Sequence, residues 1–338
     1  MLVLYLQTPA QTNTQKPKPN INATYMRFAS WNVRTMRTGF PNTCGCFDCA
    51  QDLRKTYNID IELKRLNVDI AALQETRIED EGSIREANYT FFWKGKSSTE
   101  NREHGVGFAI RNHLLNATET PIGVSERIII LRLNTKCGFV TLISAYAPTL
   151  NSTSENKDQF YDRLEETLRR VRSIDRLYIL GDFNARVGQD TTAWPECLDA
   201  NGVGKQNRNG QRLLEFCSRH QLCVTNTFFK GKLMRKVSWR HPRSKHWHQL
   251  DLVLNKVTYG TYKYLTTKGP TGNSPYAGFM KSTDCDTDHS LVSSKVRLVP
   301  KRIHSSRLSG RKRINLFNTR DPDAVASFGA LVNTEVAT

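Results

Sequence analysis

The stretch Tyr178-Ile-Leu-Gly-Asp-Phe-Asn-Ala-Arg-Val-Gly188 restricts the fold of this chain more than any other. An apolar run that halts on a glycine and then presents a carboxylate and an amide reads as a buried strand with a polar tip. Tyr178, Ile179 and Leu180 suit a strand covered on both faces, and Gly181 allows close backbone approach. Period-two alternation predicts that Asp182 and Asn184 point the same way. The carboxylate can hold or deprotonate a water, and the amide can hold that water or a phosphate oxygen without repelling an anionic substrate. The same pair would equally serve an Asx turn that only closes the strand.

The pattern recurs. Met26–Val33 alternates into a strand that ends at Trp31-Asn-Val-Arg34 and sets Asn32 at its tip. Ile59, Leu63 and Leu66 give Ile59–Asn67 helical spacing, and the short strand Val68–Leu73 runs straight into Gln74-Glu75-Thr76. His104-Gly-Val-Gly-Phe-Ala-Ile110 starts as a glycine turn and continues as a strand, without the longer glycine fingerprint of nucleotide loops. Arg127–Leu133 and Gly138–Ser144 pair around a turn at Asn134–Cys137, and the second strand delivers Ala145-Tyr146-Ala-Pro148. Phe160, Leu164, Leu168 and Val171 fall on one face of a helix that leads into the Tyr178 strand, so the order strand, helix, strand implies a layered α/β architecture. Asn209–His220 reads as a helix with Leu213, Phe216 and Cys217 inward, and Leu222–Thr227 as a strand. Asp251 stands among alternating leucines, and Thr287-Asp-His-Ser-Leu-Val292 places Asp288 and His289 ahead of another strand. Each residue alone has a bland reading: a turn asparagine, a surface glutamate, a capping histidine. Asn32, Glu75, Tyr146, Asp182, Asn184, Asp251, Asp288 and His289 together, nearly all at strand ends, form a constellation.

The 49 Lys and Arg against 32 Asp and Glu leave a formal charge of +17 over 338 residues, which favours a polyanionic partner once catalytic residues are found. Between Lys230 and Lys263 lie nine Lys or Arg, three His and one acid, with Trp239 and Trp247 interleaved. Cations hold phosphates and aromatic faces stack on bases, so Trp239, Arg240, Arg243 and Lys245 are the expected nucleic-acid contacts; a solvated hairpin with a core tryptophan is the plainer reading. The eight cysteines do not make a disulfide-dense pattern, and Cys137, Cys217 and Cys223 sit in apolar segments, as in a reducing compartment. Cys44-Gly-Cys-Phe-Asp-Cys49 lacks the paired spacing of zinc sites and reads as a surface loop. The apolar opening Met1–Leu6 is too short to span a membrane, and no membrane partner is expected.

These residues resemble the endonuclease/exonuclease/phosphatase family, and within it the endonuclease domains of non-LTR (LINE-type) retrotransposons and the related craniofacial development protein 2-like proteins. Trp31-Asn-Val, Leu73-Gln-Glu75, Ala145-Tyr-Ala-Pro148, Gly181-Asp-Phe-Asn184, Ser238-Trp239, Leu250-Asp251 and Thr287-Asp-His-Ser290 occur in family order. The resemblance implies an α/β fold of DNase I type, a four-layer sandwich of two packed mixed β-sheets flanked by helices. It also implies a divalent metal, Mg2+ with Mn2+ as a substitute, held by Glu75, Asn32 and Asp288. By the same resemblance Asp182 deprotonates or aligns the attacking water and Asn184 helps to place it. His289 binds the scissile phosphate, Asp251 orients that imidazole, and Tyr146 contacts the phosphate or leaving group.

The expected organisation is a disordered tail over 1–24, the catalytic domain over 25–298, and a basic tail or truncated linker over 299–338. Arg34 stands where apurinic/apyrimidinic members carry an acid, and Thr38–Asn58 has the look of an insertion. The expected function is that of a metal-dependent phosphodiesterase, a DNA endonuclease nicking DNA in retrotransposition without an attached reverse transcriptase. It is expected to act as a monomer on DNA, in the nucleus, with the cytoplasm as the alternative. Another phosphohydrolase on the same scaffold, or an inactive nucleic-acid-binding relic, are the competing readings.

Overall fold

The computed structural model describes residues 25–36, 55–101, 103–256, 276–280 and 287–301. The first 24 residues, the Cys44–Cys49 cluster and the basic run from Arg302 onward lie outside the described residues. In chain order the elements are β1 (Tyr25–Asn32), α1 (Lys55–Arg65), β2 (Ile70–Gln74), β3 (Glu81–Arg85), β4 (Tyr89–Lys94) and β5 (Val106–Arg111). Then come β6 (Ile122–Ser125), β7 (Ile128–Thr135), β8 (Gly138–Tyr146), α2 (Ser154–Arg170), β9 (Arg176–Asp182), α3 (Arg208–Arg219) and β10 (Leu222–Val224). A small hairpin of β11 (Trp239–Arg240) and β12 (Trp247–His248) precedes β13 (Asp251–Lys256), β14 (Tyr276–Met280) and β15 (Leu291–Arg297).

Two mixed sheets result, one in the order β14-β15-β1-β2-β5-β4-β3 and the other β10-β13-β9-β8-β7-β6. Each holds one parallel pair, β1 with β2 and β8 with β9. Parallel neighbours need a crossover, and α1 and α2 supply it, so each sheet is built on a βαβ unit.

Alternation sorts the side chains into layers. Phe28, Ile70, Phe108 and Ile110 of the first sheet meet Leu131, Leu142, Leu180 and Val253 of the second in one apolar cluster between the sheets. The opposite parity of the first sheet, with Trp31, Leu73 and Phe91, packs on Ile59 and Leu63 of α1. On the second sheet Ile143, Ile179, Leu252 and Leu254 pack on Phe160 and Leu164 of α2 and Leu213 and Phe216 of α3. Helix, sheet, sheet, helix is the expected four-layer sandwich. Each fully buried Leu or Phe in it contributes about 1.5–3 kcal/mol through burial.

Parity also positions the site. Asn32, Tyr146, Asp182 and Asp251 share the inward parity of Phe28, Leu142, Leu180 and Val253, so the inter-sheet layer turns polar at one end. Gly181 allows it: a Cβ there would stand 2.0 Å from the Ala145 carbonyl oxygen, in the closely paired β8–β9 ladder.

Several expectations shift. β9 ends at Asp182, and Asn184 takes a left-handed φ of 47°, so strand alternation does not carry Asn184 to the same side. The strand expected over Leu222–Thr227 stops at Val224 and becomes a short 3-10 turn, because the Asn226 amide bonds β13 instead, accepting from Val253 N at 2.8 Å and donating to Asp251 O at 3.2 Å. Cys137 is exposed in the β7–β8 turn, whereas Cys217 and Cys223 are buried; all are free thiols. The first turn of α1 occupies the end of the expected insertion. Beyond β15 the chain bonds to the end of β7 and the turn after it, Lys136 N donating to Val299 O and Lys301 N to Asn134 O.

Candidate active site

The C-terminal ends of both parallel pairs open on the same edge. β1 and β2 deliver Asn32 and Glu75, and β8 and β9 deliver Tyr146 and Asp182. The antiparallel strands β13 and β15 start there, bringing Asp251 and, just before β15, Asp288 and His289. In the second sheet Tyr146 is in register with Asp182, and Asp182 with Asp251. Two carboxylates directly opposed on neighbouring strands repel one another, a pairing that a purely structural sheet avoids.

Asn32 joins the two sheets. It is fully buried, and its Nδ2 donates to Glu75 Oε1 at 2.9 Å and to Asp182 Oδ2 at 3.0 Å, while its Oδ1 accepts from Arg34 N at 3.0 Å. Asn32 therefore faces the carboxylates with its NH2 group. Glu75, at φ 53°, also accepts from the Tyr146 hydroxyl at 2.9 Å and from Arg77 Nη2 at 2.7 Å. Burial works to raise its pKa, but the hydrogen bonds from Asn32, Arg77 and Tyr146 outweigh it and hold the carboxyl below its usual range. Burial, then the Glu75 and Asp182 charges, push the Tyr146 phenol far up, so it stays a donor.

The other half is ionic. His289 Nδ1 meets Asp251 Oδ2 at 2.9 Å, and its Nε2 stands 4.0 Å from Asp182 Oδ2. Burial disfavours charge on the imidazole, but Asp251, then Asp182 and Asp288, raise its pKa to about 9. Asp182 is pushed up to about 6 by burial and by Asp251, despite His289 and the bonds from Asn184 and Asn32. Its Oδ1 accepts from Asn184 N at 2.9 Å, so the Asx turn and the reactive tip are one arrangement. Asn184 donates its side-chain NH2 to Ala147 O at 2.9 Å.

Several supports escaped the sequence reading. Thr287 Oγ1 donates to Asn32 O at 2.7 Å and accepts from His289 N at 3.2 Å, and Trp31 Nε1 donates to His289 O at 3.3 Å. Ser238 Oγ accepts from Leu250 N at 3.1 Å and Asp251 N at 3.2 Å. Beneath the site, Gln74 Nε2 donates to Ser144 Oγ at 3.1 Å across the sheets. Gln74, Ser238 and Thr287 each sit inside a quoted motif, which was the available signal.

The expected nucleic-acid contacts divide. Arg240, Arg243 and Lys245 are exposed on the β11–β12 hairpin, whose turn is closed by the amides of Arg243 and Ser244 donating to His241 Nδ1. Trp239 is only partly exposed: its Nε1 donates to Asp288 Oδ2 at 2.9 Å and its ring stacks on His248 at 5.9 Å. The exposed aromatic face is that of Trp247, with the Arg240 guanidinium 5.8 Å from the ring centre.

This four-layer sandwich, polar at the shared edge of its two sheets, is the DNase I-like fold. The chain belongs to the endonuclease/exonuclease/phosphatase family, whose sequence profile matches residues 29–309. It is 28% identical over 269 residues to craniofacial development protein 2 of Bos taurus, covering 80% of this chain and 40% of that protein. The protein of the same name from Tragulus javanicus is 27% identical over 269 residues, covering 80% and 42%. The chain thus spans under half the length of these relatives. Among solved structures it is similar to the endonuclease domain of TRAS1, a telomere-specific non-LTR retrotransposon, at TM-score 0.51 and 15% identity over 81% of this chain and 99% of that one. At that identity the likeness is one of fold.

The family generally uses divalent metals. Among the described residues, Asp182, Asp251 and His289 place ligand-type atoms within 4.8 Å of one another. Two of these atoms already bond one another, His289 Nδ1 with Asp251 Oδ2 at 2.9 Å, so this trio fits a cation poorly. Glu75 fits better: held below the usual carboxylate range and partly exposed, it offers hard oxygens to a cation that keeps most of its own water, whereas Asp288 is engaged by Trp239 Nε1 at 2.9 Å and lies 3.7 Å from Arg34 Nε.

Proposed function

We propose that this chain is a Mg2+-dependent phosphodiesterase that nicks DNA, an endonuclease of the retroelement type. The observation that carries the reading is the opposition, across one buried amide, of an ionised Glu75 and a proton-accepting Asp182 paired with a cationic His289. Glu75 and Asp288 would hold the metal, which supplies Lewis acidity toward a phosphoryl oxygen. Asp182, with its pKa lifted toward neutrality, is suited to take a proton from an attacking water. His289, kept protonated by Asp251, can donate to a phosphoryl oxygen and offset its growing charge. Tyr146 and Asn32 hold the Glu75 carboxylate, and Asn184 secures the turn that aims Asp182. The basic hairpin with its outward Trp247 supports a nucleic acid over a small phosphate ester.

Purified protein should convert supercoiled plasmid to open circle with Mg2+, not with chelator, and Glu75→Ala should abolish the conversion. No nicking by folded protein that still binds DNA would overturn the reading in favour of another phosphate ester or a binding relic.

A further inference from the structure

Arg127, in the turn before β7, bridges two segments whose rings also meet, His104 and Tyr146 lying 5.8 Å apart centre to centre. Its Nη1 donates to Tyr146 O at 3.0 Å while its own carbonyl accepts from Tyr146 N at 2.9 Å, and its guanidinium lies 5.2 Å from the Tyr146 ring centre. Its Nη2 lies 2.9 Å from His104 Nε2. A guanidinium can only donate, so that nitrogen is the acceptor of a neutral imidazole. Burial foremost, with the Arg127 charge, lowers the His104 pKa to about 4, in keeping with this tautomer.

Both segments grip Glu75. Tyr146 binds its side chain. The His104–Gly105 turn binds its backbone: Thr76 N donates to Gly105 O at 3.1 Å and Arg77 N to His104 O at 2.9 Å, immediately after the left-handed Glu75. His104 and Gly105 are themselves left-handed, at φ 71° and 95°, and a Cβ on Gly105 would come within 2.3 Å of Thr76 Oγ1. Gly105 N closes the loop on Glu126 O at 3.0 Å, next to Arg127.

We propose that Arg127 is a positioning residue that sets the orientation of Glu75 from both sides, through the Tyr146 hydroxyl and through the His104–Gly105 clamp on the following peptides. The inference builds on the proposed metal-dependent reading for its kinetic part, but its structural part stands on the clamp alone.

The test compares wild type with Arg127→Met and Arg127→Lys. Hydrogen exchange should show the Thr76 and Arg77 amides opening faster in Arg127→Met, while Ala72 and Leu73 of β2 exchange as in wild type. Mn2+ affinity, read by electron paramagnetic resonance, should fall about tenfold to a hundredfold, as when a partner behind a ligand is removed. If the protein nicks DNA, kcat should fall with KM for DNA within about twofold, and Arg127→Lys should restore part of each loss. Protected Thr76 and Arg77 amides with unchanged Mn2+ affinity in Arg127→Met would overturn the proposal. So would an equal loss of protection throughout β2, which marks a merely structural role. If wild type binds Mn2+ yet cleaves nothing, the nuclease reading fails while the exchange and affinity arms still decide this one.

Discussion

Glu75 and Asp182 accept hydrogen bonds from the same Asn32 NH2 group and end in opposite states. Glu75 leaves the first sheet with a guanidinium and a phenol as further donors, and its pKa is lowered. Asp182 leaves the second sheet directly opposite Asp251, and its pKa is raised. One shared donor cannot account for the divergence, so the neighbours decide: added donors on one side, burial and a like charge on the other. In the proposed function this divides the labour between two carboxylates, one held below the usual carboxylate range and suited to a cation, the other raised to about 6 and suited to exchange a proton. Charge follows the same division. The Arg77 guanidinium lies on the solvent side of Glu75, whereas the cation facing Asp182 is the buried His289.

The sharpest way to break this comparison is to exchange the roles. Asp182→Asn keeps shape and removes the proton acceptor, so cleavage should fall by about 10²- to 10⁴-fold with Mn2+ binding nearly unchanged. Glu75→Gln should do the reverse, with ion binding lost first and activity recovering partly at high metal concentration. If calorimetry finds Mn2+ binding lost in Asp182→Asn and kept in Glu75→Gln, the two carboxylates have been assigned the wrong way round.

Removing the shared donor should act on both sides at once. Asn32→Ala leaves two carboxylates short of a partner, at a cost of about 1–3 kcal/mol of stability by chemical denaturation. It should also move the pH profile. In wild type, activity should fall as pH drops through about 6, where Asp182 takes up a proton, and again as pH rises through about 9, where His289 loses one. With the Asn32 bond gone the acid limb should lie higher, because a hydrogen bond to the ionised form has been removed. An acid limb that stays in place would mean that Asp182 does not control it.

What the sequence made legible was whatever a single strand carries in itself. β1, β2, β8 and β9 announce themselves by apolar runs, and their polar tips at Asn32, Glu75, Tyr146 and Asp182 follow from where the runs stop. The aromatic run Tyr89–Lys94 carries the same signal for β4. What could not be read from one strand was pairing. Asp251 faces Asp182 only because β13 lies beside β9, and Arg127 reaches His104 only because the turn before β7 meets the turn before β5. The β10 expectation failed for a related reason, since the Asn226 amide supplies to Asp251 and Val253 the bonds that a longer strand would have made. Asn184 was placed by periodicity, but an Asx turn on Asp182 ends the periodicity there.

The smallest effect tests the donor side of the comparison. Arg77 is half exposed, and water screens its pair with Glu75, so Arg77→Met should cost at most about 1 kcal/mol near neutral pH. The sign follows from the direction of the shift. A carboxylate whose folded pKa lies below its unfolded value stabilises the fold above that unfolded value, and the contribution fades as pH falls through the folded one. The stability difference between wild type and Arg77→Met should therefore be present at pH 7 and vanish in acid, once Glu75 is protonated in both. A difference that persists undiminished in acid would mean that Arg77 stabilises the turn through its stem and backbone, leaving Asn32 and Tyr146 as the donors that keep Glu75 ionised.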